Sequence, residues 1–211
     1  DVDQLIELGH IMSAETGFAG FRMHEPRARF ILSEIVSADT VFAKGVFQGS
    51  KLVSVFIGEA AGANDDLSAN NNVFIGYQSG MTNIGSAENT AVGSYSLRTN
   101  NGGSRNTAFG SYSMYSNISG SFNTGLGYDA LQNNTIGQQN TAVGYDAMNN
   151  NTFAQNSTAV GYLTLYTNNG DNNVAFGSNA LVGNGTGANN TAVGTNTAGT
   201  NTTGSDNTFL G

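Results

Sequence analysis

Ten times between Ser54 and Gly211 a short apolar phrase ends in glycine, at Gly58, Gly76, Gly93, Gly110, Gly127, Gly144, Gly161, Gly177, Gly194 and Gly211. The spacings are 18, 17, 17, 17, 17, 17, 16, 17 and 17 residues. Such regularity means one structural unit repeated along an axis, each copy burying its apolar surface only against its neighbours. A period near 17 is too short for a helix pair or a propeller blade, but it suits one coil of a β-solenoid with two short strands and two turns. The sequence therefore predicts an all-β fold, with a ten-coil parallel β-solenoid over 51–211 and a separate N-terminal module over 1–50. Composition shifts near the same boundary, because asparagine first occurs at Asn64 and dominates thereafter.

Within each phrase the residue before the glycine is large and apolar: Ile57, Ile75, Val92, Phe109, Leu126, Val143, Val160, Phe176, Val193 and Leu210. This column is predicted to form the core of the coil. Two residues earlier stand Val55, Val73, Thr90, Thr107, Thr124, Thr141, Thr158, Val174, Thr191 and Thr208, all β-branched and, by strand alternation, on the same face. The column between them points the other way: Phe56, Phe74, Ala91, Ala108, Gly125, Ala142, Ala159, Ala175, Ala192 and Phe209. A water-facing column should be polar, and this one is small or aromatic throughout, so it is expected to be covered by neighbouring copies of the chain. On that reading it is the oligomer-axis packing, and an isolated monomer aggregates or unfolds.

The glycine supplies a backbone shape suited to a sharp bend, and a second short strand is expected after it. The fourth residue after the glycine is often large and apolar (Leu97, Met114, Leu131, Met148, Leu165, Leu181) and should close the coil's interior. The remainder of each coil is turn chemistry rich in Asn, Asp and Gly. Asn72, Asn89, Asn106, Asn123, Asn140, Asn173, Asn190 and Asn207 fall four before the glycine, where stacked amides could form a ladder.

The net charge of -8, with only 7 basic residues and no basic cluster, argues against nucleic-acid binding. No apolar run approaches the ~20 residues of a membrane-spanning helix, so no membrane insertion is expected. With no cysteine and two histidines, His10 and His24, neither a cofactor nor a metal site is expected. Asp129 and Asp146, equivalent positions one coil apart, are the nearest thing to a carboxylate pair. Repetition of a solvated turn residue explains them more simply. Asp65, Asp66 and Asp171 lack the spaced oxygen ligands of a calcium loop. No catalytic residues are expected, and the chain reads as a non-enzyme. Tyr77, Tyr128, Tyr145 and Tyr162 follow the glycine directly, with Tyr95 and Tyr112 one place later. They form a candidate surface-recognition ridge, with packing between coils as the plainer alternative.

The phrases NVFIGYQSG, NTAVGSYSL, NTAFGSYSM, NTGLGYDAL and NTAVGYDAM resemble the head repeats of YadA-like trimeric autotransporter adhesins. They are similar also to the N-T-A-[VIF]-G arrays of phage tail fibres and bacterial surface proteins. That resemblance implies a parallel left-handed β-roll assembled as a homotrimer and a role in attachment. The implied partners are a neighbouring fibre or baseplate protein and a host-surface glycan or protein receptor, on a virion tail fibre or a cell surface. The coil here is longer than the YadA-type repeat, so that family's exact geometry is not carried over. Two other functions fit a solenoid: ice binding through the threonine column, and a non-catalytic part of a polysaccharide-degrading tail spike.

In the N-terminal module Leu5, Leu8 and Met12 have helical spacing, and FAGFRM, ARFILSEIV and TVFAKGVF read as strands. The module is expected to cap the first coil or to attach the fibre.

Overall fold

The structure, a computed structural model, describes residues 22–24, 29–36, 41–48, 51–65 and 71–211. The helix expected over 2–13 lies outside the described residues, as does His10. The described part opens with an antiparallel meander of β1 (Arg22–His24), β2 (Arg29–Val36), β3 (Val41–Gln48) and β4 (Lys51–Ile57). From β4 onward the chain coils. Strands β5 (Val73–Ile75), β7 (Thr90–Val92), β9 (Thr107–Phe109), β10 (Thr124–Leu126), β11 (Thr141–Val143) and β12 (Thr158–Val160) pair in parallel. They are continued by β14 (Val174–Phe176), β16 (Thr191–Val193) and β17 (Thr208–Leu210). With β4 these make ten rungs and nine coils of one 13-stranded sheet. The all-β solenoid and its glycine-defined register are as the spacing predicts.

The second strand differs from expectation. It does not follow the glycine; where present it lies further along the coil, as β6 (Thr82–Ile84) with β8 (Thr99–Asn101) and β13 (Thr167–Asn168) with β15 (Gly183–Asn184). The segment directly after the glycine is instead a corner with alternate residues in the left-handed region. Tyr95 (φ 60) and Leu97 (φ 47) follow Gly93 (φ 131), and the same pattern recurs at Tyr112 and Met114 after Gly110. Its amides still bridge coils: the Tyr95 N–H donates back to the Tyr77 carbonyl (2.8 Å) and the Leu97 N–H forward to that of Ser113 (2.9 Å).

The assignment of the two strand faces is reversed. Phe56, Phe74, Ala91, Ala108, Ala142, Ala159, Ala175 and Ala192 are fully or almost fully buried within the single chain, with Phe209 packed against them. Gly125 shares their inward register. They are the coil core, not an oligomer axis. The column Ile57, Ile75, Val92, Phe109, Leu126, Val143, Val160, Phe176, Val193 and Leu210 points outward; Phe109 is 58 % exposed and Leu210 77 %. The reason is the width of the coil. The residue four after the glycine reaches across the interior and leaves room opposite for only a small side chain. Leu97 therefore faces Ala91, Met114 faces Ala108, and Met148 faces Ala142, all fully buried. Where the crossing residue is glycine, the opposite place is taken by phenylalanine: a Cβ on Gly62 or Gly80 would meet the ring of Phe56 or Phe74 at 2.8 and 2.5 Å. Those two rings stack at 5.1 Å.

The other half of the interior is amide. Asn72, Asn89, Asn106, Asn123 and Asn140 are buried and form a ladder, in which the Oδ1 of each accepts the backbone N–H of the next coil at 2.9–3.0 Å. A second buried column was not anticipated. Asn83, Asn100, Asn117, Asn134, Asn151, Asn168, Asn184 and Asn201 each donate Nδ2 to the Oδ1 of the preceding member. The first, Asn83, donates to the carboxylate of Asp65 at 2.9 Å. One carbonyl per coil joins the columns: Gly103 O accepts from Asn89 at 3.0 Å and from Asn100 at 2.7 Å. Because every amide donates in the same direction, the ladder ends on its N–H side at Asp65. A carboxylate fits there because that place needs only an acceptor and gains from the charge.

Two predictions follow from this interior. Phe74→Ala should cost about 3–5 kcal/mol, and Gly80→Leu should also destabilise because its Cβ meets the Phe74 ring. The double variant reproduces the Ala91–Leu97 pair of the next coil, so chemical denaturation should show a large favourable coupling; additive losses would overturn the complementarity argument. Asn117→Asp places a carboxylate where a donor is needed, against Asn100 Oδ1 and the Gly120 carbonyl. Its folded-state pKa is then raised, so the deficit is smallest below the unfolded value of ~4, where one O–H replaces one of the two donors, and grows as pH rises through the folded value. Melting temperatures of this variant and the parent should converge on acidification; a pH-independent gap would refute the ladder's donor requirement.

Candidate functional site: the outward face and the tyrosine ridge

The outward face of the main sheet carries two parallel columns, one residue of each from every rung. The β-branched column from Val55 to Thr208 and the apolar column from Ile57 to Leu210 both stand part-exposed or exposed. With ten rungs at ~4.8 Å the stripe runs roughly 43 Å. A continuous apolar stripe of that length is unusual on the surface of a monomer. Its register is exact, with Thr124 beside Thr141 and Leu126 beside Val143.

The six ridge tyrosines form one unbroken row of ring contacts along the first corner. Successive centroid distances from Tyr77 through Tyr95, Tyr112, Tyr128 and Tyr145 to Tyr162 are 5.1, 4.9, 6.0, 5.5 and 5.5 Å. Tyr128 and Tyr145 are nearly coplanar in orientation, 9° apart, and Tyr115 tilts against Tyr95 and Tyr112. Tyr95 stacks on Tyr112, and Tyr128, Tyr145 and Tyr162 stack in succession, while the Tyr77–Tyr95 and Tyr112–Tyr128 contacts are edge-on.

Asp129 and Asp146 sit beside this stack, both in the left-handed region. Each is held by an amide three residues on: Gln132 donates to Asp129 at 2.6 Å and Asn149 to Asp146 at 2.6 Å. Burial, then the charge of Asp146, raises the Asp129 carboxyl above the usual range, against the lowering effect of the Gln132 hydrogen bond. Asp129 in turn is the main reason the Tyr128 phenol is raised, and Asp146 the main reason for Tyr145. Tyr95 is raised chiefly by desolvation. Asp65 is an acceptor within the amide ladder, and Asp171 accepts the Gln155 N–H at 2.8 Å. Among the described residues no three His, Cys, Asp or Glu side chains gather in one place.

On another corner coils are tied by charge: Arg105 pairs with Glu88 at 2.7 Å and lies over the Phe122 ring at 5.2 Å. The pair is half exposed and so contributes little to stability.

No family model, curated protein or solved structure matches the chain.

If Asp129 is what holds back Tyr128, Asp129→Asn keeps the Gln132 hydrogen bond but removes the charge. The alkaline phenolate titration, followed by ultraviolet difference absorbance, should then move part of its amplitude to lower pH. An unchanged curve would show that the stack, rather than the carboxylate, sets the phenol's ionisation.

Proposed function

We propose that this chain is a stiff structural and adhesive segment of a homotrimeric surface fibre, of the phage tail-fibre or bacterial adhesin kind, built as a left-handed β-roll with its N-terminal meander serving as cap or attachment point. The observation that carries this reading is the outward apolar column. Ten successive rungs each place Ile, Val, Leu or Phe on a flat sheet face, and three such faces around an axis bury one another along the whole array. The resemblance of the phrase to trimeric adhesin repeats supplies the number three and the hand of the coil. Stiffness follows from the interior, where every coil is tied to the next by amide as well as backbone hydrogen bonds. The partners of this reading are two further copies of the chain, a neighbouring fibre or baseplate protein, and a glycan or protein receptor on the target surface.

One observation favours a second reading. The threonine column, expected to share the core face, is outward, and regular outward Thr and Val at strand spacing is an array that could order water as ice does. Against it, Phe109 and Phe176 project from the same face and Val55, Val73 and Val174 interrupt the threonines, which breaks the flatness and the hydroxyl register. The fibre reading is therefore preferred.

Light scattering after size exclusion tests the choice. A mass near three times 21.8 kDa is expected. Phe109→Lys should lower it, since the side chain is exposed in one chain but covered in the trimer. A wild-type mass of 21.8 kDa would remove the fibre reading, and ice-recrystallisation inhibition by that monomer would establish the second.

A further inference from the structure

The coil from Gly161 to Gly177 is one residue shorter than its neighbours, and the missing residue can be located. Between the ladder position Asn151 and Ser157 stand Thr152, Phe153, Ala154, Gln155 and Asn156. Between Asn168 and Asn173 stand only Asn169, Gly170, Asp171 and Asn172. Gly170 aligns with Ala154 and Asp171 with Gln155, so the counterpart of Phe153 is absent. One coil further on, that place is held by Thr186. The outer corner thus has a gap one coil wide between Phe153 and Thr186. It forms the end of a groove of about 480 Å³ whose floor includes Gly170 and whose wall includes Ile136.

The deletion also leaves unpaired polar groups in the groove. Ser119 and Ile136 donate their N–H groups to the next coil's carbonyl at 3.0 and 3.1 Å. Among the described residues nothing accepts the N–H of the equivalent Phe153. The Asn169 Oδ1 takes the Thr152 N–H at 3.1 Å, which leaves its Nδ2 free. Asp171 uses Oδ1 for the Gln155 N–H and keeps Oδ2. The Gln155 amide and the Thr186 hydroxyl also point into solvent without partners among the described residues. Phe153 is 49 % exposed and Ile136 51 %. Unlike the ridge tyrosines, each in contact with a neighbouring ring, the Phe153 ring has no aromatic partner among the described residues.

We propose that this notch binds a neutral hexose unit of a surface glycan, with Phe153 and Ile136 against the sugar's C–H face and Asn169, Gln155, Asp171 and the Phe153 N–H at its hydroxyls. A pyranose pairs an apolar face with a rim of groups that both donate and accept, and the notch offers the matching set: apolar contacts with a few convergent polar groups. Neutrality follows from charge. The last basic residue of the chain is Arg105, so beside Asp171 an anionic sugar finds no countercharge. This inference rests on the attachment reading and names the chemistry of its receptor.

The test is binding of the intact protein to a panel of neutral and acidic hexose oligosaccharides, by glycan array and saturation-transfer NMR. Three proteins are compared: wild type, Phe153→Ala, and a variant with threonine inserted between Asn169 and Gly170, which restores the five-residue corner and fills the gap. Both changes lie on the exposed corner, and unchanged light-scattering mass will show that assembly is intact. Neutral oligosaccharides should bind wild type, and both variants should lose about tenfold or more. Failure of every neutral oligosaccharide to bind, or binding that both variants keep, overturns the notch. Binding of acidic glycans alone does so too, while leaving attachment itself in place at another site. A monomeric wild-type mass, by contrast, removes the attachment reading.

Discussion

Strands of three residues cannot hold a coil closed, and in this protein most backbone pairing runs from one coil to the next. What makes such stacking specific is the content of the narrow interior. On one side a large and a small apolar side chain must meet across the coil; on the other, two asparagines and one carbonyl must complete each other's hydrogen bonds. A slip of one residue in register would send the amides outward and the threonines in, leaving buried groups unpaired at about 1–3 kcal/mol each. The turning glycine adds a further constraint. At Gly93, φ is 131 and a Cβ would lie 2.6 Å from the Gly110 carbonyl, so no side chain is tolerated at the turn. Stability is therefore a nearest-neighbour property, and the same constraint explains why the period scarcely varies.

The period, the strand phrase, the first amide ladder and the inward Leu/Met column were legible in the sequence because each recurs between six and ten times. Which face is inside was misread, although the chain carries the necessary signal. The asparagine four before the glycine and the alanine two before it have the same parity along a strand, so a buried ladder forces the alanines inward with it. The exchange of Phe/Gly at Phe56–Gly62 and Phe74–Gly80 for Ala/Leu at Ala91–Leu97 says the same thing in volume. Hydrophobicity alone assigns large apolar residues to the core, a rule that fails when the interior is too thin for two of them. The post-glycine corner was misread for a different reason. Left-handed Leu97, Met114 and Leu131 are rare for such residues and are imposed by the stacked neighbours, which no local propensity reports.

The junction at β4 shows how a different kind of sheet feeds the array. β3 pairs with β4 in antiparallel fashion while β4 pairs with β5 in parallel, so the first rung has no open edge toward the N-terminal side. The interior changes at the same point: the stacked Phe56–Phe74 pair and Asp65 belong to the first coils. An amide ladder needs an acceptor at its N–H end, and an aromatic pair fills coils whose crossing residue is glycine. The array thus begins with chemistry different from what it propagates.

Inside and outside answer to different requirements. The interior tolerates substitution only where a neighbour compensates: Ser157 replaces an asparagine of the first column, and Asn173 then donates to both the Gly170 and Gly187 carbonyls at 2.8 Å. That same coil lost a corner residue, yet the strands on either side keep register, Ala159 opposite Ala175 and Ala175 opposite Ala192. A corner can therefore shorten or change its side chains without disturbing the sheet, whereas in the proposed trimer any change on the outward strand face would be felt by every copy packed against it. On the proposed reading, assembly would thereby be confined to the regular strands, and recognition to the corners, which are free to vary. The unpaired polar groups and unstacked ring of the shortened corner lie in that second class, and the stacked tyrosines, tied to one another along the axis, do not.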